Sequence, residues 1–159
     1  MEKLTVATAA WQKEPLSEYT YIRSRRQPLI QRIHMTAIHI KAGQPVSRWH
    51  YTGKTPDTGG QEKVESWQED GTANLRIPRS GAFPALTMEQ IFAECNAAIQ
   101  KFPGARTAIT LFASGMLAEC SVKPPGCADD CGFDLRLEQI GKGGLSERQV
   151  KLFLEKGQI

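Results

Sequence analysis

TMEQIFAECNAAIQKFPG, residues 87–104, decides the class of fold. Ile91, Phe92, Cys95, Ala98, Ile99 and Phe102 recur at the spacing of one helix face. Thr87 and Gln90 form a capping-box pattern, Leu86 and Ile91 can staple the first turn, and Pro103-Gly104 stops the helix. The spacing predicts a helix over about 87–102, with Cys95 on its apolar stripe as a small, unreactive core residue.

The segments on either side read as strands. RTAITLFA (106–113) and MLAECSV (116–122) flank a Ser114-Gly115 turn. FDLRLEQI (133–140) alternates, with Phe133, Leu135 and Leu137 inward and Asp134, Arg136 and Glu138 outward. GKGG (141–144) leads into a short C-terminal helix over about 146–156, where Ser146 with Gln149 repeats the capping box and Leu145 with Val150 the staple. Toward the N-terminus, QRIHMTAIHIKAGQPVSRWHYTGK (31–54) reads as two strands joined at Ala42-Gly43-Gln44-Pro45. EYTYIRS (18–24) and NLRIPRSG (74–81) are two further strand candidates. The polar, glycine- and threonine-rich stretch 52–72 reads as a long hairpin tip or loop.

Strands, then one main helix, then further strands predict an α+β domain. A mostly antiparallel sheet would be packed by the main helix and the short C-terminal one. One domain is expected over 1–159, with a basic, β-rich half (1–80) and a β/α half (81–159). Hydrophobic residues make up 40% and charged residues 23%, ordinary for a globular chain. Mean hydropathy is −0.38. No apolar run approaches the roughly 18 residues of a membrane-spanning helix. The opening stretch MEKLTVATAAWQKEP is only weakly apolar and is broken at Trp11-Gln12-Lys13, unlike a secretory h-region. A cytoplasmic protein without a membrane partner is the expectation; a homo-oligomer is left open.

The four cysteines, in a reducing compartment, are expected as free thiols. Cys120, Cys127 and Cys131 follow the spacing C-x6-C-x3-C, which lacks the C-x2-C knuckle of structural zinc sites. Plain loop thiols are the first reading of these three. A metal held by Cys120, Cys127 and Cys131 is an alternative, as is a Cys127–Cys131 or Cys120–Cys131 disulfide. Asp129-Asp130 after Pro124-Pro125-Gly126 reads as a turn. Gly53-Lys54-Thr55 resembles the end of a phosphate-binding loop, but Arg48 stands where its first glycine belongs and Pro56 follows where a helix should begin. No cofactor is expected.

Charge points to partners. Residues 1–60 hold nine Lys/Arg against four acids, whereas the remainder holds eleven against thirteen. In EYTYIRSRR, Tyr19, Tyr21, Arg23 and Arg25 share one face of an extended chain. Arginine beside exposed aromatics suits single-stranded nucleic acid, through stacking and neutralisation, or an acidic protein surface. The first functional expectation is therefore a non-enzymatic binding or accessory protein docking one of these through Tyr21, Arg23, Arg25, Arg26, Arg48 and Trp49.

The histidines offer a second reading. His34 and His39 are an odd number of residues apart on one strand, so they point to opposite faces, and at most one can join His50. His34-Met35-Thr36 and His50-Tyr51-Thr52 both read H-x-T, which resembles the signature of the two-histidine phosphoesterases. That resemblance implies a small phosphodiesterase-like hydrolase, with His34 and His50 as acid and base and the threonines binding phosphate. In that family the motifs lie far apart in two related lobes; here sixteen residues separate the histidines. A thiol or zinc module at 120–131 is the third reading.

Overall fold

The structure is a computed structural model that describes residues 1–71, 75, 79, 81–127 and 131–159. Most of the strand expected at 74–81 and the turn expected at Asp129-Asp130 lie outside the described residues. The elements are α1 (Glu2–Lys13), β1 (Glu18–Gln27), a 3-10 turn (Pro28–Ile30), β2 (Arg32–Lys41), β3 (Gln44–Lys54) and β4 (Glu62–Asp70). They continue with α2 (Met88–Lys101), β5 (Arg106–Leu111), β6 (Leu117–Lys123), β7 (Phe133–Lys142) and α3 (Glu147–Lys156). The strands are hydrogen bonded in the order β4-β3-β2-β1-β7-β6-β5, an antiparallel sheet that gives the expected α+β class. The chain divides into two compact units, residues 17–86 with 138–159 and residues 1–16 with 87–137.

In the first unit, β1 pairs with β2 from Glu18↔Lys41 to Gln27↔Arg32. β2 pairs with β3 from Arg32↔Lys54 to Lys41↔Gln44. The turn between β2 and β3 is only two residues, because Ala42 (φ 51°) and Gly43 (φ 73°) both take the left-handed conformation. Such a turn matches the twist of the flanking strands. Gln44-Pro45, expected in the connection, begins β3 instead. One sheet face buries Ile22, Ile33, Met35, Ala37, Trp49 and Tyr51 against Phe153 of α3, with Leu145, Val150, Leu154 and Ile159 at the border. Full burial of one such side chain contributes about 1.5–3 kcal/mol. The reciprocal Ser146–Gln149 capping box starts α3 as the sequence predicts.

Nine residues of the stretch expected as a loop form β4, which pairs with β3 from Ser47↔Asp70 to Lys54↔Glu62. β4 lies at the edge of the sheet and leaves most of its side chains in solvent, so no apolar alternation marks it. Charges such as Glu62, Lys63, Glu65 and Asp70 look like loop composition and also discourage pairing with another chain.

The second unit holds an element absent from the sequence reading. α1 buries Leu4, Ala7 and Trp11 and lies against α2 and β5. The indole Nε1 of Trp11 donates to Glu89 Oε1 at 2.6 Å. The Leu4, Ala7, Trp11 spacing was the available signal, diluted by the alanines and threonines around it. α2 carries its full capping box and buries Met88, Ile91, Phe92, Cys95 and Ala98. β5 and β6 form the expected hairpin around Ser114-Gly115, and β7 buries Leu135 and Leu137 while Asp134 and Arg136 stay exposed.

Cys95 is buried as expected but is not a free thiol. It forms a disulfide with Cys120, and Cys127 forms one with Cys131. No cysteine remains free, which corrects the thiol reading and consumes the sulfurs of the alternative metal site at Cys120, Cys127 and Cys131. The stripe of α2 faces β6, and a contact across 25 residues leaves no mark in local spacing.

Candidate functional site

The face of β1–β4 opposite Phe153 is a polar grid set by strand register. Arg25, His34, Thr52 and Glu65 occupy one cross-strand row. Arg23, Thr36, His50 and Trp67 form the next, and Tyr21, Ile38, Arg48 and Glu69 the third. Residues directly opposite on adjacent strands have side chains within reach of one another.

This register explains both H-x-T motifs. Each threonine meets the histidine of the other strand, with Thr36 Oγ1 at 3.1 Å from His50 Nδ1 and Thr52 Oγ1 at 3.2 Å from His34 Nδ1. Thr52 Oγ1 also lies 2.8 Å from His50 Nε2, and His34 Nε2 lies 2.9 Å from Gln27 Oε1. The amide of Phe83 donates to Thr36 Oγ1 at 3.3 Å. With both rings neutral, these distances form one hydrogen-bond chain whose direction is set at the Gln27 end, because Gln27 Oε1 only accepts, while Phe83 N–H takes a second lone pair of Thr36 Oγ1. Thr36 then donates to His50 Nδ1, His50 Nε2–H to Thr52, Thr52 to His34 Nδ1, and His34 Nε2–H to Gln27. All four ring nitrogens are engaged, with both rings neutral.

Electrostatics favour that neutral state. Burial, then His34, Arg48 and Arg79, lower the pKa of His50 to about 4. Burial, then Arg25 and Arg32, lower His34, against a smaller upward pull from Glu65. The two imidazoles stack with centroids 5.9 Å apart, and His50 also faces the Trp67 ring at 5.1 Å. Gly81 closes over them with φ 77°, and a Cβ there would stand 2.8 Å from His34 Nδ1 and 3.2 Å from His50 Nε2. Only a glycine fits this conformation and this approach without displacing a ring.

The arginines divide into buried and exposed groups. Arg48, 1% exposed, donates through Nε (3.1 Å) and Nη2 (2.5 Å) to Glu69 Oε2 and through Nη1 to the Phe83 carbonyl at 3.0 Å. Arg79 donates to Glu69 Oε1 at 3.0 Å and lies 4.2 Å from the Trp67 ring centroid. Burial alone would raise the Glu69 carboxyl, but hydrogen bonds from Arg48 and Arg79 hold it below the usual range. Arg23, also buried, lies 4.2 Å from the Phe83 ring centroid. Tyr21, 1% exposed, donates through its hydroxyl to the Leu86 carbonyl at 2.7 Å and accepts from the Leu86 amide at 3.2 Å.

Of the six residues expected to form one binding face, Tyr21, Arg23 and Arg48 are thus interior parts of the grid. Trp49 lies on the opposite face, in the core, stacked on His39 at 6.5 Å. Arg25 and Arg26 are exposed. The parity argument holds: His34 joins His50, while His39 faces the other way and meets Glu18 Oε1 at 2.9 Å.

Exposed apolar side chains also stand where sequence reasoning did not place them. Leu29 is 86% and Ile30 58% exposed, on the 3-10 turn between β1 and β2. The signal was RRQPLIQR (25–32), an apolar pair between basic arms, which strand periodicity passes over. In the other unit, a groove of about 440 Å³ between α1 and α2 is lined by Leu4, Thr8, Trp11, Glu89, Phe92 and Asn96 among others. Among the described residues no three His, Cys, Asp or Glu side chains are grouped to hold a metal ion. No family model, curated protein or solved structure matches this chain.

Proposed function

We propose that this protein is a non-enzymatic docking protein that meets an anionic partner through the basic end of the β1–β2 hairpin. The observation that carries the reading is the exposure of Arg25 and Arg26, beside an apolar turn, while Arg23 and Arg48 are spent inside the sheet. Tyr19, Tyr21, Trp49 and Tyr51, the aromatics that would stack bases, are at most 4% exposed. Their burial favours an anionic surface over single-stranded nucleic acid, whose recognition leans on open stacking platforms. For the histidine pair, the closed hydrogen-bond chain supports a structural role over acid–base work, which needs a ring nitrogen within reach of substrate.

Two disulfides in one small chain support an oxidising compartment in place of the cytoplasm expected from composition. The test is binding to immobilised polyglutamate and to a single-stranded oligonucleotide at several salt concentrations, comparing wild type with Arg25→Glu/Arg26→Glu. Charge-assisted contacts are worth on the order of 1–3 kcal/mol each, so the variant should bind polyglutamate at least about tenfold more weakly. Equal affinity, with the fold confirmed by circular dichroism, would refute the reading.

A further inference from the structure

We infer that the end of the β1–β2 hairpin is a peripheral membrane-binding tip, and that its partner is the surface of an anionic lipid bilayer. The inference rests on the docking reading above and names the partner. Leu29 and Ile30 are adjacent, 86% and 58% exposed, and stand on a turn rather than in a groove. A short 3-10 turn at a hairpin end is convex, the shape that enters an interface instead of receiving a ligand.

The turn is held before it meets anything. Pro28 restricts its first residue, and the Gln31 amide donates to the Pro28 carbonyl at 3.1 Å. The Thr55 amide donates to the Gln31 carbonyl at 2.9 Å, and Gln31 Nε2 to Asp57 Oδ1 at 2.6 Å. The backbone beneath the two aliphatic side chains is therefore ordered in advance, which lowers the entropic cost of association.

Cations surround the apolar pair. Arg25 and Arg26 are exposed on β1, Arg32 is half-buried at the start of β2, and the exposed Lys54 pairs in register with Arg32. Of the acids at this end, Asp57 accepts from Gln31, Glu62 is in register with Lys54, and Glu138 accepts from Ser24. Glu65 ends the row that starts at Arg25, so the bases Arg25, Arg26, Arg32 and Lys54 meet acids that already have partners or lie three strands away. Phosphate headgroups suit such a rim, and the acyl boundary suits Leu29 and Ile30.

Scale separates a bilayer from a protein partner. A specific protein interface buries roughly 800 Å² on each side, far more than two aliphatic side chains supply. Reversible membrane attachment needs only a few inserted apolar groups combined with a few basic residues near anionic lipid. The lack of a long apolar helix bears on spanning the membrane and leaves surface contact open.

The experiment is co-sedimentation of the intact, oxidised protein with phosphatidylcholine vesicles and with vesicles containing about one-third phosphatidylglycerol. Polyglutamate binding is measured in parallel. Wild type should partition onto the anionic vesicles at least about tenfold more strongly than onto the neutral ones. Leu29→Ser/Ile30→Ser should lose about tenfold or more of that partitioning while keeping its polyglutamate affinity. Arg25→Glu/Arg26→Glu should lose both. If wild type does not prefer anionic vesicles, or the Leu29/Ile30 variant sediments like wild type, the bilayer inference is overturned. In either case a polyglutamate affinity that still depends on Arg25 and Arg26 leaves the docking reading standing.

Discussion

Acidification should destabilise this protein well above the pH at which carboxylates titrate, and His50 should be the main reason. His50 is fully buried, with both ring nitrogens engaged by threonines, and its folded-state pKa is about 4 against an ordinary 6.5. Between those values the unfolded chain takes up a proton that the folded chain refuses. The stabilising contribution is therefore complete above pH 6.5 and falls as pH drops toward 4. Moving from pH 7 to pH 5 should remove about 2 kcal/mol through His50 alone, from linkage with these two values. His34 is shifted in the same direction and adds to the loss.

Urea denaturation at pH 7 and pH 5 measures the effect, and His50→Gln isolates it. The variant should be less stable at pH 7 but should lose about 2 kcal/mol less than wild type on going to pH 5. A wild-type stability that falls no further than the variant's would refute the neutral, hydrogen-bonded role of this ring. Should His50→Gln fail to fold, the wild-type protein still decides the matter by NMR. A His50 Cε1 resonance titrating near 6.5 contradicts the structure; one still neutral at pH 5 agrees with it.

Two further outcomes test the architecture. Cys95→Ala/Cys120→Ala opens a link across 25 residues and should cost on the order of 3 kcal/mol by loop-closure entropy, measured as a lower denaturation midpoint. Stability unchanged within error would mean that the two sulfurs are not bonded in the native protein. Gly81→Ala should cost about 2 kcal/mol or more, from a left-handed backbone (φ 77°) and a Cβ 2.8 Å from His34. Gly59→Ala, with φ 84° but open space, should cost only the backbone share, so equal losses in the two variants would argue against the close packing of Gly81 on the histidines.

Local chemistry made much of this chain legible. Thr87 with Gln90 and Ser146 with Gln149 mark their helices within one turn, because a capping box involves residues three apart. The alternation in β7 sorted Leu135 and Leu137 from Asp134 and Arg136, since a strand places successive side chains on opposite faces. The same parity separated His39 from His34 before any register was known. Where such signals are diluted, the reading lapsed: α1 hides its Leu4, Ala7, Trp11 stripe among small residues, and β4 shows its side chains to water.

Tertiary structure decided everything that depends on which distant residues meet. The two H-x-T motifs resemble a catalytic signature when taken strand by strand. Register alone, pairing His34 with Thr52 and Thr36 with His50, turns them into a reciprocal hydrogen-bonded lattice. Composition counted nine basic residues in the first sixty without telling Arg48, clamped on Glu69 beneath the Phe83 carbonyl, from Arg25 and Arg26 at the open hairpin end. Cys95 looked like a core thiol because a helix stripe records burial and not the partner across the gap, here Cys120 on β6. Periodicity reports which side of an element faces inward; the identity of the group waiting there is set by the packing of strands and helices far apart in the chain.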